Sequence, residues 1–407
     1  MICDAYFKDV HYQENLLVKY YLKNGHSVVI LAATFEDVHK YYNDQYDPTI
    51  APSIIEQDGY KIYRLKYGLN FMNKLRNFGD IMPILETEAP DLIFVHDIHF
   101  NLHHAIKYKK LHPGTRVIMD FHADYSNSGK NWLSIQILHK VVRNFYLKSC
   151  SNHLDELYSV VPGGINFLED LYGISRERVK LLPLGTDLDL AEEFRAKGHR
   201  EKMRKKLGIP QEATVVFTGG KLMPYKKTEQ LIKAVNKEEN RSLYLIIAGQ
   251  VNQEFPAYKE EIERLIAENE KVIYTGWLNS EQIYEHMAAS DVAVFPASQT
   301  VLWQQCLGMG LVLIIGRYIT LHDGRKFDQE VEYLNLCDNI RVLYEKEDKV
   351  EEIASLLHEL NSDPVLLDQL KKNALKAAAE YISYDIVAKR TTGELDLNLN
   401  YQKYERD

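Results

Sequence analysis

Three stretches in the second half of the chain carry residue types suited to an anionic ligand. In "VVFTGGKLMPYKKTEQLIKAV" (Val215–Val235) an apolar run leads into Gly219, Gly220 and Lys221, and Lys226 precedes a helical pattern. Glycine lets main chain approach a ligand closely, and lysine neutralises phosphate. A helix start adds unpaired N–H groups and a positive dipole end. By itself the stretch reads equally well as a strand–turn–helix with solvated lysines. It lacks the GxxxxGK[ST] spacing of a P-loop. The chain also has no GxGxxG followed at the right distance by an acid, which weighs against a dinucleotide cofactor. In "YTGWLNSEQIYEHMAASDVAVFPAS" (Tyr274–Ser298) the main chain at Trp277 and Leu278 is placed to receive a nucleobase, with Ser280 as the expected cap of the next helix. Trp277 as plain packing is the alternative. In "FPASQTVLWQQCLGMGLVLIIG" (Phe295–Gly316) a helix is expected to open around Ser298–Thr300. That would aim free N–H groups near Ser298, Gln299, Thr300 and Val301 at a diphosphate.

The first half offers "IMDFHADYSN", with His122 and Asp124 directly after a strand. A histidine there can hydrogen-bond a substrate, and an aspartate two residues on can orient or deprotonate a hydroxyl. His96, Asp97 and His99 follow the preceding strand and are weaker candidates on the same argument. No second ligand set stands at helical spacing, so no metal is expected.

The elements that must position these residues alternate. Runs rich in β-branched and apolar residues, such as Arg116–Phe121 or Val312–Ile315, are separated by amphipathic helical patterns. This is the pattern of parallel sheets covered by helices on both faces. Two such blocks, with a charged helical stretch at Ala191–Leu207 near the seam, predict an α/β protein of two doubly wound, Rossmann-like domains facing across a cleft. The expected boundaries are 1–187, 188–375 and a helical tail, 376–407, packing back on the first domain. Helices are expected over Phe71–Glu88, interrupted near Gly79 and Pro83, and over Trp132–Lys148. Ligands of such sheets bind beyond the carboxyl ends of the strands, where the residues above lie.

The 407 residues suffice for two cores. A net charge of -9 argues against a nucleic-acid binder working by bulk electrostatics. Four scattered cysteines fit reduced thiols in a cytosolic protein. No apolar stretch reaches the ~18 residues of a membrane span. A cytoplasmic location is expected, with peripheral contact at the inner face of a membrane as an extension. "SGKNWLSIQILHKVVRNFYLKS" (Ser128–Ser149) sets Lys130, Lys140, Arg143 and Lys148 among apolar residues, as a lipid-touching helix would. Its apolar residues fall nearly all round at helical angles, however, which favours burial.

In order and spacing, "YQENLLVKYYLKNGHSVVILA", "VPGGINFLEDLYGISRERVKLLPLGTD", "TGGKLMPYKK", "GWLNSEQIYEHMAASDVAVFPAS" and the Gly-Met-Gly after the last helix resemble a GT-B glycosyltransferase of the family-four type. "YQEN" and "DFHADYSNSGKNW" are similar to bacterial enzymes of surface-polysaccharide assembly. The resemblance implies a metal-independent transferase without cofactor. It would move a sugar from a nucleoside diphosphate sugar, UDP-linked above all, to a glycan or lipid-linked acceptor with retention. It assigns the donor diphosphate to Lys221 and Lys226, where the family has Arg then Lys, and the donor sugar to His122. The family's N-terminal loop is often glycine-rich; here it reads "FKDVHYQEN", and Gln13 and Glu14 open a helix. The family also places two glutamates at the last helix. The second falls on Gln305, and the first has no acidic counterpart in Ser298–Val301. Gln305 can still accept one hydrogen bond and donate another. A non-catalytic partner of a polysaccharide complex and a sugar-nucleotide epimerase are the alternatives.

Overall fold

The computed structural model describes all residues except 9, 36, 58, 72, 129–133, 197, 238–241, 298, 323–324, 346, 398 and 400–407. Seventeen strands are numbered in chain order. β1 (Val28–Ala33), β2 (Ser53–Gln57), β3 (Tyr60–Leu65), β4 (Leu69–Phe71), β5 (Leu75–Asn77), β6 (Leu92–His96), β7 (Arg116–Phe121), β8 (Glu156–Ser159) and β9 (Val179–Leu181) come first. β10 (Thr214–Leu222), β11 (Leu243–Val251), β12 (Val272–Gly276), β13 (Val292–Phe295), β14 (Val312–Gly316), β15 (Tyr318–His322), β16 (Arg325–Gln329) and β17 (Ile340–Leu343) follow.

The chain forms two compact units. The first comprises Met1–Pro183, Thr320–Phe327 and the segment from Val387 onward. Its strands run β2-β3-β1 and β6-β7-β8-β9. Ile2 joins the two groups through parallel bridges to Leu31 and Val95. Its N–H donates to the Phe94 carbonyl (2.8 Å), and its carbonyl accepts from His96 N (2.9 Å). The amino-terminal segment thus contributes one bridging residue, which closes the middle of the sheet. β6 and β7 are apolar except at Arg116 and at their carboxyl ends, His96 and Asp120, because both faces are covered along most of their length. Phe327 of β16 stacks on Tyr125 in this unit, ring centroids 3.8 Å apart.

Two expectations for this unit change. The region Phe71–Glu88 is an antiparallel hairpin, β4–β5, followed by a short helix at Met82–Glu88. Asn73 turns the hairpin with a positive φ of 53°, which asparagine tolerates better than most residues. The expected helix over Trp132–Lys148 is described from Ser134: a wide π-type segment to Arg143 that continues as an α-helix to Ser151.

The second unit comprises Leu184–Ile319 and Asp328–Ile386. Its six strands lie in the order β12-β11-β10-β13-β14-β17, all parallel. The chain begins at the centre with β10, builds outward to β12, then returns to add β13 beside β10. The strand order therefore reverses between β10 and β13. That switch point is where a doubly wound sheet opens a crevice beyond its strand ends.

The charged helical stretch Ala191–Leu207 falls in two helices, Leu188–Arg195 and His199–Leu207. The second carries a fully buried arginine, Arg204. Its guanidinium donates to Asp291 Oδ2 (2.7 Å) and to the carbonyls of Ala289, Pro210, Gln211 and Ala213. Asp291 also accepts from Arg200 (2.8 Å), Lys371 (3.0 Å) and Val215 N (3.0 Å). One buried carboxylate thus ties the amino ends of β10 and β13 together. Removing one partner of a buried ion pair leaves the others uncompensated. Asp291→Ala should therefore lower unfolding free energy by about 3–5 kcal/mol in urea denaturation; a loss within error of zero would mean this hub does not organise the unit.

Candidate active site

In the second unit the candidate residues gather at the β10/β13 switch. β10 continues beside β11 to Leu222, beyond its pairing with β13 at Val216 and Phe217, so Gly219, Gly220 and Lys221 lie in an extended strand. Gly220 faces Gly249 in register. A Cβ on Gly249 would lie 2.0 Å from the Gly220 carbonyl oxygen, so only glycine fits there. Gly220 itself has φ +103°, a conformation that side chains disfavour.

Beyond β10 a short 3-10 turn, Pro224–Lys226, brings the chain back. Lys226 Nζ ends 3.8 Å from where a Gly220 Cβ would stand. Burial, reinforced by the Lys221 charge, holds the Lys226 ammonium below the usual lysine range. Among the described residues no carboxylate pairs with either lysine. Two ammonium groups that disfavour each other at a strand end are placed to gain from an anion.

After β13, the helix opens at Leu302 rather than around Ser298–Thr300. Thr300 accepts from the first helical N–H groups, through Oγ1 from Leu302 (3.3 Å) and through its carbonyl from Trp303 (3.3 Å). The bare amides expected near Thr300 are therefore partly used within the turn. Leu302 Cδ1 would meet a Cβ on Gly219 at 3.2 Å, so this helix starts directly against the Gly219–Gly220 strand. Gln299 and Thr300 are half-buried and Val301 is exposed; Ser298 lies outside the described residues. Of the two adjacent glutamines, Gln304 is buried and Gln305 is the more open. The Gly-Met-Gly break has two separate causes. A Cβ on Gly308 would lie 2.2 Å from Thr186 Oγ1, and Gly310 ends the helix with φ +75°.

Trp277 stands 61% exposed just past the edge strand β12, with Leu278 half-buried beside it. The packing alternative for Trp277 does not hold within this unit. The following helix is capped by Asn279, not Ser280. Asn279 Oδ1 accepts from Gln282 N, and Gln282 Oε1 accepts from Asn279 N, a reciprocal box.

In the first unit the carboxyl ends of β6 and β7 assemble a cluster around Asp120, which sequence reading had passed over. Asp120 is fully buried. Its Oδ2 accepts from Gln13 Nε2 (2.9 Å), bonds His122 Nε2 (2.9 Å) and lies 3.3 Å from His96 Nδ1. Its Oδ1 accepts from Asp97 N (3.2 Å). Asp97 carries a positive φ of 55°, a strained turn directly after β6. Burial works against the Asp120 charge, but the facing imidazoles win and hold its carboxyl well below the usual range. Burial likewise opposes charge on His122, yet the Asp120 carboxylate outweighs it and raises the imidazole to about 9. His122 keeps 35% of its side chain open to solvent. The result is a positively charged donor fixed at one nitrogen and presented at the surface.

His99, by contrast, is buried and pushed down to about 4. Asp124 is fully buried and works locally, its Oδ1 accepting from Ser126 N, Ser126 Oγ and Asn127 N. The ligand atoms of His96, Asp120 and His122 lie within 4.8 Å of one another, a spacing compatible with a cation. A metal would need His122 deprotonated, which its pairing with Asp120 opposes. The signal that could have revealed Asp120 is the lone ionisable residue inside the run "VIMDF". A charge in a buried strand requires partners.

Two family models match the chain: "Glycosyltransferase Family 4" over residues 15–190 and "Glycosyl transferases group 1" over residues 199–314. Between them they take in most of both units. The chain is a glycosyltransferase, its first part matching family four and its second part group 1. Solved structures share the fold along nearly the whole length. The Anabaena protein Alr3699/HepE, determined in complex with UDP and glucose, is 15% identical, with 97% of this chain and 98% of that one covered at a TM-score of 0.60. A glycosyltransferase from Rickettsia africae ESF-5 is 14% identical over 97% of each chain at 0.64. WaaG, a glycosyltransferase involved in lipopolysaccharide biosynthesis, is 16% identical over 96% of this chain and 99% of its own at 0.54. No curated protein matches. No helix among the described residues is long and apolar enough to cross a membrane.

The His122–Asp120 pair makes a pH prediction. A histidine whose pKa is raised on folding, from 6.5 to about 9, adds stability in full below pH 6.5 and loses it as pH climbs through 9. The Tm difference between the protein and His122→Gln should therefore be largest near pH 6 and shrink by pH 10. A difference that is flat across this span would show that the pair does not form. Gly249→Ala should cost about 1–3 kcal/mol by overpacking and weaken donor binding with it, read by thermal melting with and without nucleotide.

Proposed function

We propose that this chain transfers a sugar from a UDP-sugar to a hydroxyl of a glycan or lipid-linked saccharide, with retention and without a metal, in polysaccharide or glycoconjugate biosynthesis. The observation that carries the donor assignment is the pair Lys221 and Lys226 at the β10/β13 switch, two amines with no acidic partner among the described residues, beside a strand that carries no side chain at Gly219 and Gly220. Their charge would stabilise the departing diphosphate, the part a cation plays in other transferases. Lysine offers a point charge where the family more often has arginine's fork. Trp277 and Leu278 would receive the base, and Gln299, Thr300, Val301 and Gln305 the diphosphate and ribose, with Ser298 among them. That HepE was determined with UDP supports a UDP-linked donor.

For His122 we propose the donor sugar and the departing phosphate. A protonated imidazole held by Asp120 can hydrogen-bond an oxygen that gains negative charge as the glycosidic bond breaks. Asp124 would orient the acceptor hydroxyl or assist its deprotonation through Oδ2, which is buried without a hydrogen-bond partner among the described residues. With retention, the acceptor would attack from the leaving-group face and the departing phosphate would take its proton.

A panel of UDP-, GDP-, ADP- and dTDP-sugars tested by thermal shift decides the donor. One UDP-sugar should raise Tm, and Lys226→Ala should weaken its binding about 10- to 100-fold, the loss of one charge-assisted hydrogen bond. Equal stabilisation of the protein and Lys226→Ala would overturn the assignment. Anomeric configuration of the first-formed product, read by ¹H NMR, tests retention.

A further inference from the structure

The helix Ser134–Ser151 was expected to be buried on most sides, and its outer face is not. Ile137 is 48% exposed, Val141 59% and Phe145 80%, spaced four residues apart along one side. Lys140 and Lys148 are exposed on the same helix. Its inner face, with Ile135, His139, Leu147 and Cys150, is buried in the unit. The β4–β5 hairpin adjoins it: Arg143 donates to the Lys74 carbonyl at 3.4 Å. The hairpin exposes Leu69 and Phe71, with Lys66 just before it and Lys74 within it also exposed.

Charge separates this region from the rest of the molecule. Residues 66–79 and 134–154 contain six Lys or Arg and no Asp or Glu, in a chain whose net charge is -9. Arg76 is spent on Asp4 and Asp44, but Lys66, Lys74, Lys140 and Lys148 face solvent. Five large exposed apolar side chains and four exposed lysines on two segments that carry no acid suit a surface that is apolar within and anionic at its boundary. A protein partner would need no such one-sided charge.

We propose that the helix Ser134–Ser151 and the β4–β5 hairpin form a docking surface for an anionic lipid bilayer. Phe145, Val141, Ile137, Leu69 and Phe71 enter the acyl boundary, and the four lysines meet lipid phosphates. This deepens the reading of the acceptor as lipid-linked, and rests on that reading for its purpose. The surface would hold the first unit at the membrane where such an acceptor is presented.

Flotation with vesicles tests it, with no sugar nucleotide present. The protein should float with vesicles of phosphatidylcholine and phosphatidylglycerol in equal parts, stay behind with pure phosphatidylcholine, and detach as salt rises. The double variant Val141→Ser/Phe145→Ser should lose at least about ten-fold in vesicle affinity from the apolar area withdrawn, and Lys140→Glu/Lys148→Glu should lose binding at low salt. Both variants should keep the thermal shift given by the donor, which controls for folding. Absence of flotation with anionic vesicles overturns the proposal, as does unchanged binding by both variants. So does a sedimentation shift showing that Val141→Ser/Phe145→Ser instead breaks a dimer. Because vesicle binding and donor stabilisation are read separately, failure of one leaves the other standing.

Discussion

A charge inside a protein must be answered by opposite charge or by hydrogen bonds, and both units are built around that demand. Each has one buried aspartate that draws distant segments together. Asp291 sits at the amino ends of its strands and is answered by two arginines, a lysine and a main-chain amide. Asp120 sits at the carboxyl end of its strand and is answered by two imidazoles and a glutamine. The difference in partners follows the difference in task. Arginine is always charged and donates from a rigid fork, so it locks a scaffold. Histidine can give up its proton and stay half-open to solvent, so the carboxylate at the ligand end of the sheet holds a group that chemistry can use.

The β10/β13 switch poses the same demand with the sign reversed. Lys226 is brought against Gly220 with Lys221 beside it, and burial already works against its charge. The fold tolerates this because the two glycines and Gly249 bring main chain where side chains would otherwise stand, leaving β10 and β11 closely paired past the core of the sheet. An arrangement that costs the free protein something becomes favourable once an anion is held there. A diphosphate leaving a sugar is such an anion, and its charge rises as the bond breaks.

How much of this the residues announce depends on whether the signal is local. The parallel sheets were legible because runs such as "VAVF" and "VLII" are apolar end to end and spaced by helices. Gly219, Gly220, Lys221 and Lys226 were legible because glycine and lysine at a strand end are unusual together. The β4–β5 hairpin was not: its apolar residues at Leu69, Phe71 and Leu75 sit at spacings that a helix also allows, and the turn rests on a single asparagine. Asp120 was hidden because one acid in an apolar run shows no partner until Gln13, more than a hundred residues earlier, is folded beside it. The outer face of Ser134–Ser151 was misjudged for a related reason. Angular counting shows that apolar residues surround the helix, but only the neighbours show which of them are covered.

The glutamine at position 305 can be weighed in the same terms. Gln304 is turned inward, its Oε1 buried without a partner, so Gln305 is the side chain of the pair that meets solvent. An amide there keeps a hydrogen-bond acceptor for a ribose hydroxyl and adds a donor, yet leaves the charge of Lys221 and Lys226 undiminished. On the proposed donor reading, the amide weakens one contact to the ribose, while Lys221 and Lys226, with no carboxylate paired to them among the described residues, remain for the diphosphate. Binding on that reading leans on the diphosphate, and the transition state, where that charge is greatest, would gain more than the ground state.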